Sequence, residues 1–472
     1  MMIVQEEKKD GNLIYWILGA FTIVMIFCIS YFKGTGDNGD SILHYLFARY
    51  AFEHPGNFFD HWAKPFYVLL AAPFAQLGFD GIKAFNALNT LMCIYFTYRI
   101  ALILGFKNPL VLPLLMLFSP LYFILSFSGL TEPLFAFMLA LSVFLLLKEF
   151  WFSGYLLASF LPFVRSEGLV ILGVFGLYAL MKRHWKYLPA LLLGHVLYSV
   201  AGSFFHGDLL WVFSKIPYAS MDSVYGSGSL LHFFEKLLYV LGVPVYFLFW
   251  LGYLVTITRI SRRRARPEES ILIFAGFTGF FIAHSLFWYL GIFHSMGLNR
   301  VFLAVMPLMG IMALSGFSFI TDLLSFGKPL LKKLLIAFLL VYIIVFPLTN
   351  NPAAINWKKD MMKTQEAFAA EELAAYLKES ELANQRLVYV PPQISLSMQR
   401  DHFDARLHLL LTPAIINHLV EGDVVIWDNW FAITDMGLER SVFDRDDSFA
   451  LLREFRKDAD ASQSLYVVYQ KR

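Results

Sequence analysis

The sequence has few charged residues and almost no cysteine. Only 16% of its 472 residues are charged, against about 25% in an average soluble protein. Its two cysteines, Cys28 and Cys93, both lie within long apolar stretches. A disulfide framework, a zinc site and a redox pair therefore all lack the partners that they need. The net charge is only +2, and no nucleic-acid partner is expected.

Apolar residues dominate the chain instead. They make up 58% of it, and the mean hydropathy is +0.59. A crossing of the bilayer core takes about 20 apolar residues, and such stretches recur along the first three quarters of the chain. The first of them follows a segment that is not the basic start of a signal peptide, so it is expected to remain uncleaved. The sequence predicts a polytopic α-helical membrane protein with about 9 to 11 spans, and individual spans are placed at residues 14–32, 82–104, 110–127, 131–148, 187–205, 235–258, 270–293, 300–322 and 332–349.

Residues 153–181 are also apolar, but they are interrupted. Pro162 and the charged pair Arg165 and Glu167 divide them into two short halves. Each half has only about 10 to 15 residues, which is too few for a comfortable crossing. Irregular backbone at membrane depth is tolerated where it is buried in protein or lines a wet cavity. The segment is therefore predicted to form a re-entrant hairpin.

Basic residues predict the orientation, because short cytoplasmic loops carry an excess of Lys and Arg. The connections on one side hold Lys107, Lys148, residues 182–186 and 259–266, and Lys328, Lys332 and Lys333. These are predicted to be cytoplasmic, together with the N-terminus. The opposite connections, residues 33–81 and 206–234 among them, are then periplasmic or exterior, as is everything after Asn350. The expected location is the inner membrane of a bacterium.

The last part of the chain, residues 351–472, has the composition of a soluble domain of ordinary size. Alternating strand and helix patterns predict a small α/β layer domain on the outer face. Asp428, Asn429 and Trp430 end a buried strand, where ligands are often bound, although a turn that caps the strand is equally expected. The domain is expected to cover the membrane cavity or to help recognise an acceptor. Its predicted elements are helices at 363–380 and 446–456 and strands at 386–390, 423–430 and 464–470.

The first outer loop, residues 33–81, carries two acidic residues directly before an amphipathic helix that starts at Asp40. Asp40 stands where a helix cap is expected, which would be worth about 1 kcal/mol. A second interpretation adds Asp37 and His44, which lies one turn further along the same face. Two carboxylates at a membrane mouth can orient a hydroxyl, bind a cation or act as a general base. Spacing alone leaves these alternatives open.

Further charged residues are predicted to reach the same side of the membrane. Glu132 begins a span, where the helix dipole also favours a carboxylate. Arg165 and Glu167 lie at the hairpin tip, where they either pair with each other or mark a functional cavity. Arg300 lies at the outer end of another span, where it either snorkels to the interface or binds phosphate through its planar fork.

Several of these motifs, in this order, resemble the GT-C superfamily of integral-membrane glycosyltransferases that use polyprenyl-phosphate-linked sugars. Relatives include the protein O-mannosyltransferases and the lipid A aminoarabinose transferase. The resemblance covers roughly residues 14–350. It rests on "GDNGDS" after the first span, the amphipathic helix, "AKPFYVLLAAPF" at 63–74, "SGLTEPLF" at 128–135, "FVRSEGL" at 163–169 and "NRVFLAVMP" at 299–307.

The resemblance implies transfer of a sugar, with inversion, from a polyprenyl phosphate to a hydroxyl of a glycan, lipid or protein at the outer face. Asp40 would be the catalytic base, with Asp37 as the second candidate, because the family often has an adjacent acid pair where this chain has Asp40 and Ser41. No cofactor is required, and a divalent cation at Asp37 and Asp40 is allowed. Arg300 and Arg165 would bind the donor phosphate, and other cavity residues would be His44, Glu132, Glu167, Lys64 and Tyr225.

Two other functions are compatible with part of the sequence. A lipid or polysaccharide transporter would also have intramembrane charges and broken helices, but the chain has no two-fold repeat. An oligosaccharide polymerase or ligase would use similar lipid carriers. The absence of a phosphate-binding glycine-rich loop and of a cytoplasmic DXD motif argues against a nucleotide-sugar donor.

Overall fold

The computed structural model describes residues 2–219, 222–324, 329–358, 360, 363–456 and 464–472, with side chains from residue 12 onwards except that of Ser464. Lys328, predicted to be cytoplasmic, lies outside the described residues. Up to residue 350 the regular elements of the described chain are helices, joined by loops and short turns. Its helices are α1 Met2–Tyr31, α2 Asp40–Arg49, α3 Pro65–Ala75, α4 Phe79–Leu104, α5 Leu112–Leu117, α6 Pro120–Leu125, α7 Glu132–Leu147, α8 Trp151–Ala158, α9 Gly168–Met181, α10 Leu193–His206, α11 Trp211–Ser214, α12 His232–Ser261, α13 Gly276–Leu290, α14 Met306–Leu323 and α15 Pro329–Val345.

Seven helical stretches among the described residues are long and apolar enough to cross a membrane. They coincide with seven of the predicted spans. The stretch that contains α14 is almost wholly enclosed by other helices, whereas the stretches of α1 and α15 are largely exposed at the periphery. A break at Gly242, where φ is 71°, divides α12 just before Pro244. The seven stretches are Asn12–Tyr31, Phe79–Leu104, Trp185–His206, His232–Ser261, Glu269–Leu290, Asn299–Leu323 and Pro329–Leu348.

The two remaining predicted spans are different in the structure. Residues 110–127 do not form one helix, because Pro113 and Pro120 lie in the first turns of the separate short helices α5 and α6. Residues 131–148 do form a helix, α7, but its 16 residues are fewer than a full crossing needs. Hydropathy alone predicted a continuous span at residues 110–127 because it does not register where prolines interrupt the backbone hydrogen bonds.

The interrupted segment at 153–181 is divided as the sequence predicts. α8 ends at Ala158, a short 3₁₀ turn covers Leu161–Phe163, and α9 begins at Gly168. Arg165 and Glu167 therefore lie in the connection between two short apolar helices. Whether this connection re-enters a membrane stays a prediction.

The C-terminal region folds around one mixed sheet, as predicted. The strand order is β2-β1-β3-β5-β4, in which β1 runs parallel to β2 and β3 while β5 runs antiparallel to β3 and β4. The inner strands β1 and β3 are buried along their whole length. The elements are α16 Gln365–Glu379, β1 Leu387–Tyr389, α17 Pro392–Met398, β2 His408–Leu410, α18 Pro413–Ile416, β3 Val424–Asp428, α19 Phe431–Thr434, α20 Ser441–Asp444, β4 Phe449–Arg456 and β5 Ser464–Lys471.

The prediction of a helix at 446–456 is wrong, because most of this segment is strand β4. Its residues pair antiparallel with β5 from Phe449 to Arg456, with register shifts along the way. The irregular strand does not alternate apolar and polar residues, which is why its local pattern resembles a helix. Pairing with a neighbouring strand decides the conformation here.

The C-terminal region packs directly on the first outer loop. His54 Nε2 lies 2.7 Å from a carboxylate oxygen of Asp401, and the rings of Phe47 and Phe403 have centroids 4.6 Å apart. The Asn38 amide donates to Glu366 at 3.1 Å. These contacts join the C-terminal region to the loop that carries the two acidic residues.

Candidate active site

Asp37, and not Asp40, caps the amphipathic helix α2. One carboxylate oxygen of Asp37 accepts hydrogen bonds from the backbone N–H groups of Gly39, at 3.1 Å, and Ser41, at 2.9 Å. Asp40 is the first residue of the helix and makes no capping bond. The cap predicted for Asp40 is therefore wrong. Asp37 takes this role because an aspartate readily accepts from backbone N–H groups two and more residues ahead of it.

Arg300 bridges the two aspartates. Its Nη1 binds the second carboxylate oxygen of Asp37, and its Nη2 binds one oxygen of Asp40. Both oxygens of Asp37 are therefore occupied. The side chain of Asp40 is 46% exposed, compared with 26% for Asp37, and within the described chain Oδ1 of Asp40 has no hydrogen-bond partner. Burial works to raise the pKa of Asp40, but the charge of Arg300 outweighs it and the pKa is lowered.

Glu132 joins this pair of aspartates to a second arginine. It is 1% exposed and is the first residue of α7. One of its carboxylate oxygens lies 2.8 Å from Nη1 of Arg165 and 3.9 Å from Nε of Arg300. A carboxylate this deeply buried is tolerated because two cations compensate its charge.

Arg165 continues the network to the loop between α8 and α9. Its Nη2 lies 2.9 Å from Glu167, and Nε2 of His284 lies 3.8 Å from the same carboxylate oxygen. Six predicted residues thus form one continuous network of ion pairs from four separate segments of the chain. We call this network the charged cluster, and its members are Asp37, Asp40, Glu132, Arg165, Glu167 and Arg300.

A tight turn before α7 holds these segments in register. Gly129 packs against the backbone of Ser41 so closely that a side chain at this position would collide with it. The N–H of Gly129 donates to the Ser41 hydroxyl at 2.7 Å, and the Tyr67 hydroxyl donates to the Gly129 carbonyl at 2.9 Å. The Asn86 amide on α4 donates to the Ser128 carbonyl at 2.7 Å. Glu132 is therefore positioned relative to α2 by buried hydrogen bonds.

Lys64 lies beside the charged cluster but belongs to no ion pair within the described residues. Its Nζ donates to the Ser166 hydroxyl at 3.0 Å and lies 3.4 Å from the carbonyl of His61. Its φ is 66°, a left-handed conformation, immediately before Pro65 begins α3. Burial lowers the pKa of Lys64 to about 8. Of the three cations at the site, Lys64 is the one whose charge no direct carboxylate partner balances.

The two other predicted cavity residues lie outside the charged cluster. His44 is 6% exposed, and its ring stacks on Trp62 with centroids 5.1 Å apart. Burial lowers the pKa of His44 to about 3, so it is neutral at physiological pH. Tyr225 extends towards the C-terminal region, where its hydroxyl donates to Asp435 at 2.9 Å.

The predicted metal site does not match the arrangement of the two aspartates. Arg300 lies between their carboxylates and supplies the positive charge that a divalent cation would otherwise bring. Among the described residues there is no group of three or more His, Cys, Asp or Glu side chains that could hold a metal ion. A cation at Asp37 and Asp40 would have to displace the guanidinium, and it stays a prediction.

Sequence reasoning did not identify five residues that the fold brings close to this site. The histidines and aromatic residues among them lie in segments whose composition is otherwise ordinary for a membrane protein. Only the lone histidine within an apolar span offered a signal, since ionisable groups in spans tend to have a role. The five residues are His284, Trp62, Tyr218, His294 and Asp435.

Comparisons with known proteins identify the fold. No protein-family model matches this sequence, and no curated protein matches it either. Two crystal structures of ArnT from Cupriavidus metallidurans, one bound to undecaprenyl phosphate and one in the apo state, are similar to the chain. Each has a TM-score of 0.64 at 12% identity and covers 97% of this chain and 98% of the ArnT chain.

The chain therefore has the fold of ArnT, a lipid A aminoarabinose transferase of the GT-C class, along nearly its whole length. The predicted resemblance to the GT-C superfamily is confirmed at the level of the fold. Together with the seven apolar helices, this fold identifies an integral membrane protein.

Proposed function

We propose that this protein is a membrane glycosyltransferase that moves a sugar from a polyprenyl phosphate to a hydroxyl acceptor. A fold shared along its whole length with a protein whose structure contains undecaprenyl phosphate supports this class of donor. The observation that carries the proposal is the charged cluster, in which a partly exposed aspartate lies at the edge of a buried network of cations and carboxylates. In an enzyme of this class, a proton acceptor and a phosphate site are both required.

Asp40 is the general base of the proposed reaction. Asp37 is occupied on both oxygens by Arg300 and by the start of α2, so it has no free oxygen to accept a proton. Asp40 retains one oxygen that has no hydrogen-bond partner among the described residues, and its side chain is 46% exposed. Because Arg300 keeps this carboxylate ionised, Asp40 is ready to accept a hydrogen bond from a hydroxyl at any physiological pH.

The proposed step is a single displacement. The acceptor oxygen attacks the anomeric carbon while the bond from that carbon to the phosphate oxygen breaks. The electron pair of the broken bond leaves with the polyprenyl phosphate, and the hydroxyl proton passes to Asp40. Attack from the side opposite to the leaving group inverts the configuration of the anomeric carbon.

Lys64 is the leading candidate to bind the donor phosphate. Arg165 and Arg300, the residues predicted for this role, are held by carboxylates of the charged cluster. A phosphate is bound most strongly by a cation whose charge is not already compensated by a carboxylate. Arg165 and Arg300 remain candidates for contacts that strengthen as charge develops on the leaving phosphate.

Replacing Lys64 by alanine is expected to raise the KM for the donor on the order of 10- to 100-fold, as for a lost charge-assisted hydrogen bond. Lysine loses its charge above its pKa, so the donor KM of the wild type should also rise above pH about 8. Lys64→Arg should keep donor binding and remove this pH dependence. Radiolabelled polyprenyl-phosphate sugars measure both effects.

Lys33 offers a matched control for this experiment, because it lies in the same outer loop and is 63% exposed. Lys33→Ala should leave the donor KM unchanged. A Lys64→Ala enzyme with the donor KM of the wild type would remove Lys64 from the phosphate site.

The proposed orientation places the N-terminus in the cytoplasm and the C-terminal region in the periplasm of a bacterial inner membrane. Both native cysteines are buried, so single cysteines can be introduced without a reactive background. In intact cells, an impermeant maleimide should label Asp447→Cys in the C-terminal region. The same reagent should label Ser261→Cys, at the end of α12, only after the membrane is broken. The opposite pattern of labelling would reverse the orientation.

A further inference from the structure

A row of rings leads away from the catalytic helix towards the C-terminal region. Nε1 of Trp62 donates to the Tyr218 hydroxyl at 2.9 Å. The rings of Tyr218 and His294 stack, with centroids 4.5 Å apart and an angle of 9° between their planes. The rings of His294 and Tyr225 are in an edge-to-face arrangement with centroids 4.9 Å apart. We call Trp62, Tyr218, His294 and Tyr225 the aromatic row.

The two ends of the aromatic row define its direction. At one end, Trp62 stacks on His44, one turn beyond Asp40 on α2. At the other end, the Tyr225 hydroxyl donates to the Asp435 carboxylate at 2.9 Å. The row therefore starts beside the proposed base and ends in the C-terminal region.

Three outer segments are held together to form the row. Tyr218 and His294 both adopt left-handed backbone conformations, with φ of 63° and 55°. Such conformations are uncommon for residues other than glycine and persist where the surroundings enforce them. One such contact joins the segments of Tyr218 and His294: the N–H of Ser223 donates to the carbonyl of Gly291 at 2.7 Å.

Two polar atoms of the row are engaged, the Trp62 N–H with Tyr218 and the Tyr225 hydroxyl with Asp435, and one is left without a partner among the described residues. Within the described chain, Nδ1 of His294 is buried and has no hydrogen-bond partner. Each ring of the row also carries a nitrogen or a hydroxyl at its edge, and all four side chains are partly exposed. The row therefore presents partly exposed aromatic rings with polar groups at their edges, and it ends at a carboxylate.

These groups suit a saccharide better than they suit the phosphate or the acyl chain of the donor. The C–H faces of a sugar pack on aromatic faces, and its hydroxyl groups bind carboxylate, imidazole and phenol groups. A phosphate would meet the negative charge of Asp435 at the end of the row and no cation within it. An acyl chain has no group that could bind the Asp435 carboxylate or the His294 imidazole.

We propose that the aromatic row, together with Asp435, binds the acceptor, and that the acceptor is a glycan. The inference rests on the proposed glycosyltransferase function and narrows its acceptor from any hydroxyl to a saccharide. The donor phosphate then lies at Lys64 and the acceptor sugars extend from Asp40 towards the C-terminal region.

The test compares acceptors in membranes that contain the wild type or a variant. The donor is a radiolabelled polyprenyl-phosphate sugar, and the probes are oligosaccharides released from the cell envelope of the expression host and a Ser/Thr-rich peptide. The wild type is expected to use the oligosaccharides. Tyr218→Ala and Tyr225→Ala should each raise the oligosaccharide KM roughly three- to tenfold, as for one lost aromatic contact, while the donor KM stays unchanged.

Two further variants separate binding from folding. Tyr225→Phe keeps the ring and loses only the hydrogen bond to Asp435, so it should have a smaller effect than Tyr225→Ala. Tyr31→Ala removes an aromatic side chain that is 67% exposed at the end of α1, outside the row, and should change nothing.

Different results of this experiment would contradict the glycan acceptor and the proposed transferase function. If the sugar is transferred from the donor to water or to the peptide but never to an oligosaccharide, the proposal of a glycan acceptor is wrong, and the proposed transferase function is retained. An unchanged oligosaccharide KM in both alanine variants would also overturn the role of the row. If the wild type releases no sugar from the donor under any condition, the proposed function itself fails.

Discussion

Replacing Asp40 by asparagine is expected to lower the rate of sugar transfer on the order of 10²- to 10⁴-fold, the usual contribution of a general base. Asparagine keeps the shape of the side chain and a carbonyl oxygen for Arg300, but it cannot accept the proton of the acceptor. The helix start is held by Asp37 in both proteins, so folding should be preserved. Transfer from polyprenyl-phosphate sugars in membranes measures the rate, and gel filtration in detergent checks the fold.

Two variants are compared with Asp40→Asn: Asp37→Asn tests the second candidate base, and Glu53→Gln is the control. Asp37→Asn should weaken the helix cap and the contact with Arg300, with a smaller loss of rate than Asp40→Asn. Glu53 is an exposed carboxylate of the same outer loop, so Glu53→Gln should retain full activity. Full activity of Asp40→Asn would end its proposed role, and a larger loss in Asp37→Asn would transfer that role to Asp37.

Replacing Glu132 by glutamine is expected to cost about 3–5 kcal/mol, since removing one member of a buried ion pair is strongly destabilising. Glu132 is the carboxylate that faces both Arg165 and Arg300. Its interaction with the helix dipole of α7 would account for only about 0.3–1 kcal/mol of this loss. A drop on the order of 10 °C in the midpoint of thermal unfolding in detergent is the expected measurement.

Glu235→Gln is the matched control, because Glu235 also lies in the first turn of an apolar helix but is exposed. Its unfolding midpoint should equal that of the wild type. If Glu132→Gln unfolds at the temperature of the wild type, the network does not depend on the buried ion pairs at Glu132.

Much of the architecture could be predicted from local patterns. Long apolar runs predicted seven helices that the structure confirms, because an α-helix satisfies its own backbone hydrogen bonds and needs no distant partner. The helix that starts at Asp40 and the break at Arg165 and Glu167 were predicted for similar local reasons. The errors occurred where prolines divide an apolar run, at residues 110–127, and where strand pairing decides the conformation, at β4.

The sequence by itself determined which residues were candidates for the site, because charge is rare in this chain and each charged group next to an apolar run stands out. It could not assign their roles. Only the tertiary structure decided that Asp37 caps α2. Among the described residues it also left one oxygen of Asp40 without a hydrogen-bond partner and Lys64 without a carboxylate partner. Such assignments depend on which groups from distant segments meet in space. Arg300, 260 residues after Asp40 in the chain, is the partner that distinguishes the two aspartates.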